Sequence, residues 1–171
     1  MPCITMEPTD CAVPTVACSP VKPMESAVSA ATLSSPVWRP GVVLKNLNLK
    51  SGHCVEVKGF IPEGCKGFAI NLGKDPANYL IHFNARFDLH GDSHKIVCNS
   101  KEANAWGAEQ REDIFPFQEG SETTICFKYD EDKITLQLSS GEQFSFPIRF
   151  PTEVISYLSL ESLELKSLTV E

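Results

Sequence analysis

Residues 82–86 read HFNAR and set His82, Asn84 and Arg86 at every second position. In an extended strand successive side chains alternate sides. The three polar groups therefore share one face, about 6.5–7 Å apart along the strand, and Phe83, Ala85 and Phe87 share the other. The phenylalanines mark the core side. An imidazole, a carboxamide and a guanidinium then stand in a row on the opposite face. An outer sheet face must be polar in any protein, so these three positions alone also fit a plain solvated surface.

Two further stretches carry similar chemistry. KIVCNS places Asn99 near the end of a strand, and AWGAEQREDIFPF places Trp106 before Gly107, with Glu109 and Arg111 two residues apart. A tryptophan beside a glycine is either a core residue at a bend or an exposed platform. Planar groups with paired donors or acceptors match vicinal hydroxyls, and an indole face matches a flat patch of C–H. A hexose presents both. One with an axial 4-hydroxyl, as in galactose, leaves one ring face continuously apolar for such a platform.

The elements that would hold these residues are strands. CVEVKGF (54–60), GFAINLG (67–73), YLIHFNARF (79–87), HKIVCNS (94–100), TTICFKY (123–129), KITLQLS (133–139), EQFSFPI (142–148) and VISYLSL (154–160) are rich in β-branched or aromatic residues. Turn-prone stretches such as Pro62-Glu63-Gly64 and Ser139-Ser140-Gly141 separate them. No segment shows a long amphipathic helical period. The pattern predicts an all-β fold, an antiparallel β-sandwich or jelly roll. In LELKSLTVE the apolar phase shifts between Leu165 and Leu168, which predicts a bulge or break.

Composition bounds the rest. With 171 residues, 42% of them hydrophobic and 22% charged, the chain can bury a core. A net charge of -7 argues against nucleic acid or anionic membrane as a partner, and no apolar run approaches a bilayer span. Seven cysteines, an odd number without a CxxC pair, suggest neither a zinc site nor a disulfide scaffold, and reduced thiols are expected. Residues 1–40 hold seven of the twelve prolines and no glycine, and read as a proline-rich disordered arm. Trp38 is placed to dock on the domain that follows over 41–171. The amino terminus makes a poor secretory signal, so cytoplasmic synthesis is expected.

HFNAR, VCN and WGAEQRE, in that order and spacing, resemble the carbohydrate-recognition signature of the galectins. NLNLKSG, INLGKD, HGD and FPF extend the likeness from about residue 41 to the carboxyl end, nearest to the single-domain prototype members. The resemblance implies a lectin for β-galactosides, lactose or N-acetyllactosamine type, without catalysis, cofactor or metal. By that likeness His82, Asn84 and Arg86 bind the galactose 4-hydroxyl, Asn99 and Glu109 the 6-hydroxyl, and Trp106 stacks on the ring. Glu109, Arg111 and Arg86 reach the adjoining glucose or N-acetylglucosamine, while His90 and Asp92 are peripheral. It also implies glycoprotein and glycolipid partners, a homodimer through Val42–Leu49 and Leu163–Val170, and export to the extracellular space without a signal peptide. The family usually has proline where Ala85 stands, and ordinary prototypes lack the arm.

Two other readings remain open at this level. A glycosidase would use Glu109 and Asp92 as paired carboxylates, but an acid flanked by arginine is poorly suited to holding the proton that catalysis requires. A structural or protein-interaction module on the same scaffold would need little sugar binding.

Overall fold

The structure is a computed structural model that describes residues 40–171. The expected arm over 1–40 and the docking of Trp38 lie outside those residues, save that Pro40 already belongs to the first strand. Twelve strands follow in chain order: β1 (Pro40–Leu49), β2 (Cys54–Ile61), β3 (Gly67–Asp75), β4 (Asn78–Leu89), β5 (Asp92–Glu102), β6 (Ala105–Trp106), β7 (Gln110–Glu112), β8 (Ser121–Tyr129), β9 (Lys133–Leu138), β10 (Gln143–Pro147), β11 (Ile155–Glu161) and β12 (Glu164–Val170).

They form two antiparallel sheets. One runs β10-β9-β8-β2-β12, and the other runs β1-β11-β3-β4-β5-β6, with β7 also paired to β5. The expected all-β sandwich is what forms. Alternation explains why. In β8, Thr123, Ile125, Phe127 and Tyr129 are buried, while the residues between them stay at least partly exposed. The same period in β4 sends Phe83, Ala85 and Phe87 inward. Phe83 lies edge-on to Phe117 and Phe127, and Phe68 edge-on to Phe117, so aromatic contacts join the sheets. The expected bulge near the carboxyl end falls between Leu165 and Ser167, where β12 slips register on β2.

The cysteines differ from expectation. Cys54 and Cys126 form a disulfide, whereas Cys65 and Cys98 are free and buried. The reason is register. In the β2–β8 pair, Cys54 stands opposite Lys128 and Cys126 opposite Glu56, so the two cysteines are diagonal neighbours on one face. No spacing rule signals a pair separated by 72 residues.

Because Phe83 is fully buried among rings from both sheets, Phe83→Ala should cost about 3–5 kcal/mol of stability. Urea unfolding would measure that loss, and a change below about 1 kcal/mol would contradict this packing.

Candidate functional site

The polar face of β4 turns out to be largely withdrawn from water, with His82 half-buried. Asn84 is 1% exposed, Arg86 8%, and Asn99 on the neighbouring strand 7%. Polar groups withdrawn from water this far need partners, and a plain outer face would not withdraw them. They line a groove of about 660 Å³ whose walls also include Tyr79, Lys101, Trp106, Glu109 and Glu161. That volume lies within the usual range for small-molecule sites.

Strand register brings the groups together. His82 pairs with Asn99 and Asn84 with Val97 across β4–β5, while Val97 pairs with Arg111 of β7 and Lys101 with Trp106 of β6. A two-residue turn, His90-Gly91, links β4 to β5 with both residues at positive φ, 54° and 82°. That is the backbone a tight hairpin demands, and it sets Asp92 opposite Leu89 at the head of β5.

Asp92 then takes two guanidinium groups at once. Arg86 Nη1 donates to Oδ2 and Arg111 Nη1 to Oδ1, each at 2.6 Å. The hydrogen bond from Arg111, reinforced by that from Arg86, outweighs desolvation and holds the Asp92 carboxyl below its ordinary range. Arg111 also donates to Glu109 Oε1 through Nε at 3.2 Å and Nη2 at 2.8 Å. Arg86 Nε donates to Asn84 Oδ1 at 2.8 Å, and Asn84 Nδ2 donates to the Phe68 carbonyl at 3.0 Å. Two arginines and two acids balance, so the site calls for a neutral hydroxylated ligand as readily as for an ion.

Trp106 is not a core residue. The residue is 51% exposed at the sheet edge, and its ring lies 4.9 Å from the His82 ring and 6.1 Å from that of Tyr79. The Lys101 ammonium lies over Trp106 at 4.9 Å and over Tyr79 at 4.3 Å. Gly107 follows because a side chain there would meet Ser100 Oγ at 2.9 Å and Arg149 Nη1 at 3.0 Å. All nine residues singled out in the sequence thus gather at one end of the seven-stranded sheet.

Sequence reading missed three supports. Arg149 Nη1 donates to the Ala108 carbonyl at 2.7 Å, to Ser100 Oγ at 3.1 Å and to Asn99 Oδ1 at 3.3 Å. It fixes both Asn99 and the turn after Trp106, yet it follows a strand end with no pattern to mark it. Asn71 sits inside the inferred strand GFAINLG, and Glu161 lies one residue beyond VISYLSL, and nothing in either local pattern marks them. Among the described residues no cluster of His, Cys, Asp or Glu is placed to hold a metal ion.

Burial, and then the charges of Arg86, Lys101 and His90, lower the His82 pKa from 6.5 to about 4. The unfolded chain takes up a proton here below pH 6.5 that the folded chain declines until about 4. Stability is therefore lost as pH falls through that window, and His82 adds nothing above it. Glu161, raised by burial, works in the opposite sense, so the difference from a variant isolates His82. Between pH 7 and 5 the wild type should lose more stability than His82→Gln in urea titrations. Parallel curves would contradict a neutral, half-buried imidazole.

A family model for galactoside-binding lectins matches residues 41–170. Galectin-1 of Rhinella arenarum is 64% identical over 131 residues, covering 77% of this chain and 98% of that protein. The solved complex of toad ovary galectin with N-acetylgalactose superposes with a TM-score of 0.76 at 65% identity, covering 77% of this chain and 98% of that one. CG-16, a homodimeric agglutinin from chicken liver, gives 0.73 at 40% identity, with 76% and 98% covered.

Proposed function

This chain belongs to the galactoside-binding lectin family, and from that premise we propose that it binds β-galactosides at the groove between β4 and Trp106. Binding is non-catalytic. The observation that carries the site is a half-exposed indole facing a row of buried, prepaired polar groups.

In this reading His82, Asn84 and Arg86 take the axial 4-hydroxyl of galactose. Asn99 and Glu109 take the 6-hydroxyl, and Trp106 covers the apolar ring face. Glu109, Arg111 and Arg86 extend to the adjoining glucose or N-acetylglucosamine, while His90 and Asp92 hold the periphery. Spare capacity supports these roles: among the described residues Arg86 Nη2 donates to no partner, Glu109 Oε2 accepts from none, and His82 Nε2 is engaged by none. Each charged contact nets about 1.5–3 kcal/mol. With much of the gross gain offset by desolvation, one site binds a disaccharide at roughly micromolar to millimolar strength.

Lactosyl resin should retain the protein, and lactose but not sucrose should elute it. Trp106→Ala and Asn84→Ala should each abolish retention. Normal retention of both variants would place the site elsewhere.

Glycoproteins and glycolipids bearing terminal β-galactosides are the natural partners, met outside the cell after non-classical export from the cytoplasm. Pairing of sites in a two-fold homodimer would convert weak binding into avidity. The sheet edges β1 and β12 support such pairing, since Val43 and Val170 are exposed there. CG-16, a structural relative, is homodimeric. Sedimentation at tens of micromolar should show a dimer that Val43→Asp with Val170→Asp dissociates without loss of resin binding. A wild-type protein that sediments only as monomer would remove the dimer.

A further inference from the structure

His82 Nδ1 lies 2.6 Å from Asn71 Oδ1. Asn71 is fully buried in β3, opposite His82 on one side and Ser159 of β11 on the other. Its Nδ2 is 3.0 Å from Ser159 Oγ and 3.3 Å from Glu161 Oε2. An ionised carboxylate only accepts. The amide nitrogen must therefore be the atom facing Glu161, which leaves the carbonyl oxygen facing His82. That oxygen has no proton to give, so the imidazole Nδ1 is the donor.

We propose that Asn71, oriented by Ser159 and Glu161, is a positioning residue that fixes His82 as the Nδ1–H tautomer and leaves Nε2 as a hydrogen-bond acceptor for a ligand hydroxyl. The inference rests on the reading of His82 as a sugar-binding group and deepens it. A hydroxyl that gives its proton to Nε2 keeps its oxygen lone pairs for the Arg86 guanidinium. The opposite tautomer would aim an Nε2 proton and a guanidinium proton at one oxygen, and would leave the hydroxyl's own proton only the second lone pair of Asn84 Oδ1, which already accepts from Arg86 Nε. The relay thus dictates the direction of each hydrogen bond at that hydroxyl.

The ring must also stay neutral for Nε2 to accept. The groups that face it are Arg86 on its own strand, Lys101 on β5, His90 on the turn and, through Asn71, Glu161 on β11. Tyr79 stacks on the imidazole, and Tyr157 stacks on Tyr79. Desolvation and nearby positive charge both disfavour the imidazolium. Acidification to about pH 5 should therefore leave sugar binding unchanged.

Long-range proton–nitrogen correlation spectra of the full chain, labelled with nitrogen-15, report imidazole tautomers directly, and His82→Ala assigns the signal. The expected pattern is Nδ1–H at pH 8, kept on acidification for as long as Glu161 stays ionised. Asn71→Asp sets a carboxylate against Nδ1–H, which favours the imidazolium and puts a proton on Nε2. Lactose binding by calorimetry should then weaken at least tenfold between pH 8 and 5.5, where the wild type changes less than twofold. Glu161→Gln, at a partly exposed position, lets the Asn71 amide turn over and should give mixed tautomer signals.

An Nε2–H tautomer in the wild type overturns the proposal, as does a folded Asn71→Asp variant with a flat binding profile. If Asn71→Asp does not fold, the wild-type and Glu161→Gln spectra decide, and a single unchanged Nδ1–H tautomer in Glu161→Gln counts against the relay. Failure of the broader reading looks different: His82→Ala would then bind lactose like the wild type.

Discussion

One carboxylate between two guanidinium groups holds the groove in shape. Without Asp92, Arg86 and Arg111 would face each other across a few ångströms with Arg86 almost wholly buried. A buried charge left unpaired costs several kcal/mol. With Asp92 in place, each arginine spends one nitrogen on that carboxylate and turns others toward Asn84 or Glu109. The network neutralises its own charge, which suits a ligand that brings hydroxyls rather than a formal charge.

Preorganisation follows from the same economy of partners. Asn84 is tied at both ends, Asn99 is held by Gly107 and Arg149, and Asn71 is held by Ser159 and Glu161. Little side-chain freedom remains for a ligand to remove, and this freedom is one of the chief costs of association. The lectin's site is thus rigid where it is polar and open where it is aromatic, since Trp106 stands at a sheet edge with solvent beside it.

Much of this was legible in the residues. Alternation in β4 separated phenylalanines from polar groups, and every strand inferred from composition is present to within three residues at either end. The likeness in HFNAR, VCN and WGAEQRE pointed to the family that the comparisons then showed. The short strands β6 and β7 escaped because two or three residues carry no period. The cysteine pair, Arg149 and Asn71 escaped for a common reason: their roles depend on cross-strand neighbours 72, 50 and 11 residues away, which local pattern cannot see. Burial of the polar face was also invisible, because alternation tells which side a residue faces and not what covers it.

The two-residue hairpin at His90-Gly91 has a consequence beyond its own geometry. It places Asp92 by backbone conformation alone, with no side chain of the loop needed to steer it. A single inserted residue would rotate the start of β5 by one position and swing that acid to the opposite face. Relatives of this scaffold that lengthen the loop would then have to rebuild the arginine clamp from new parts. Hairpin length thus decides whether one acid can reach both guanidinium groups at all.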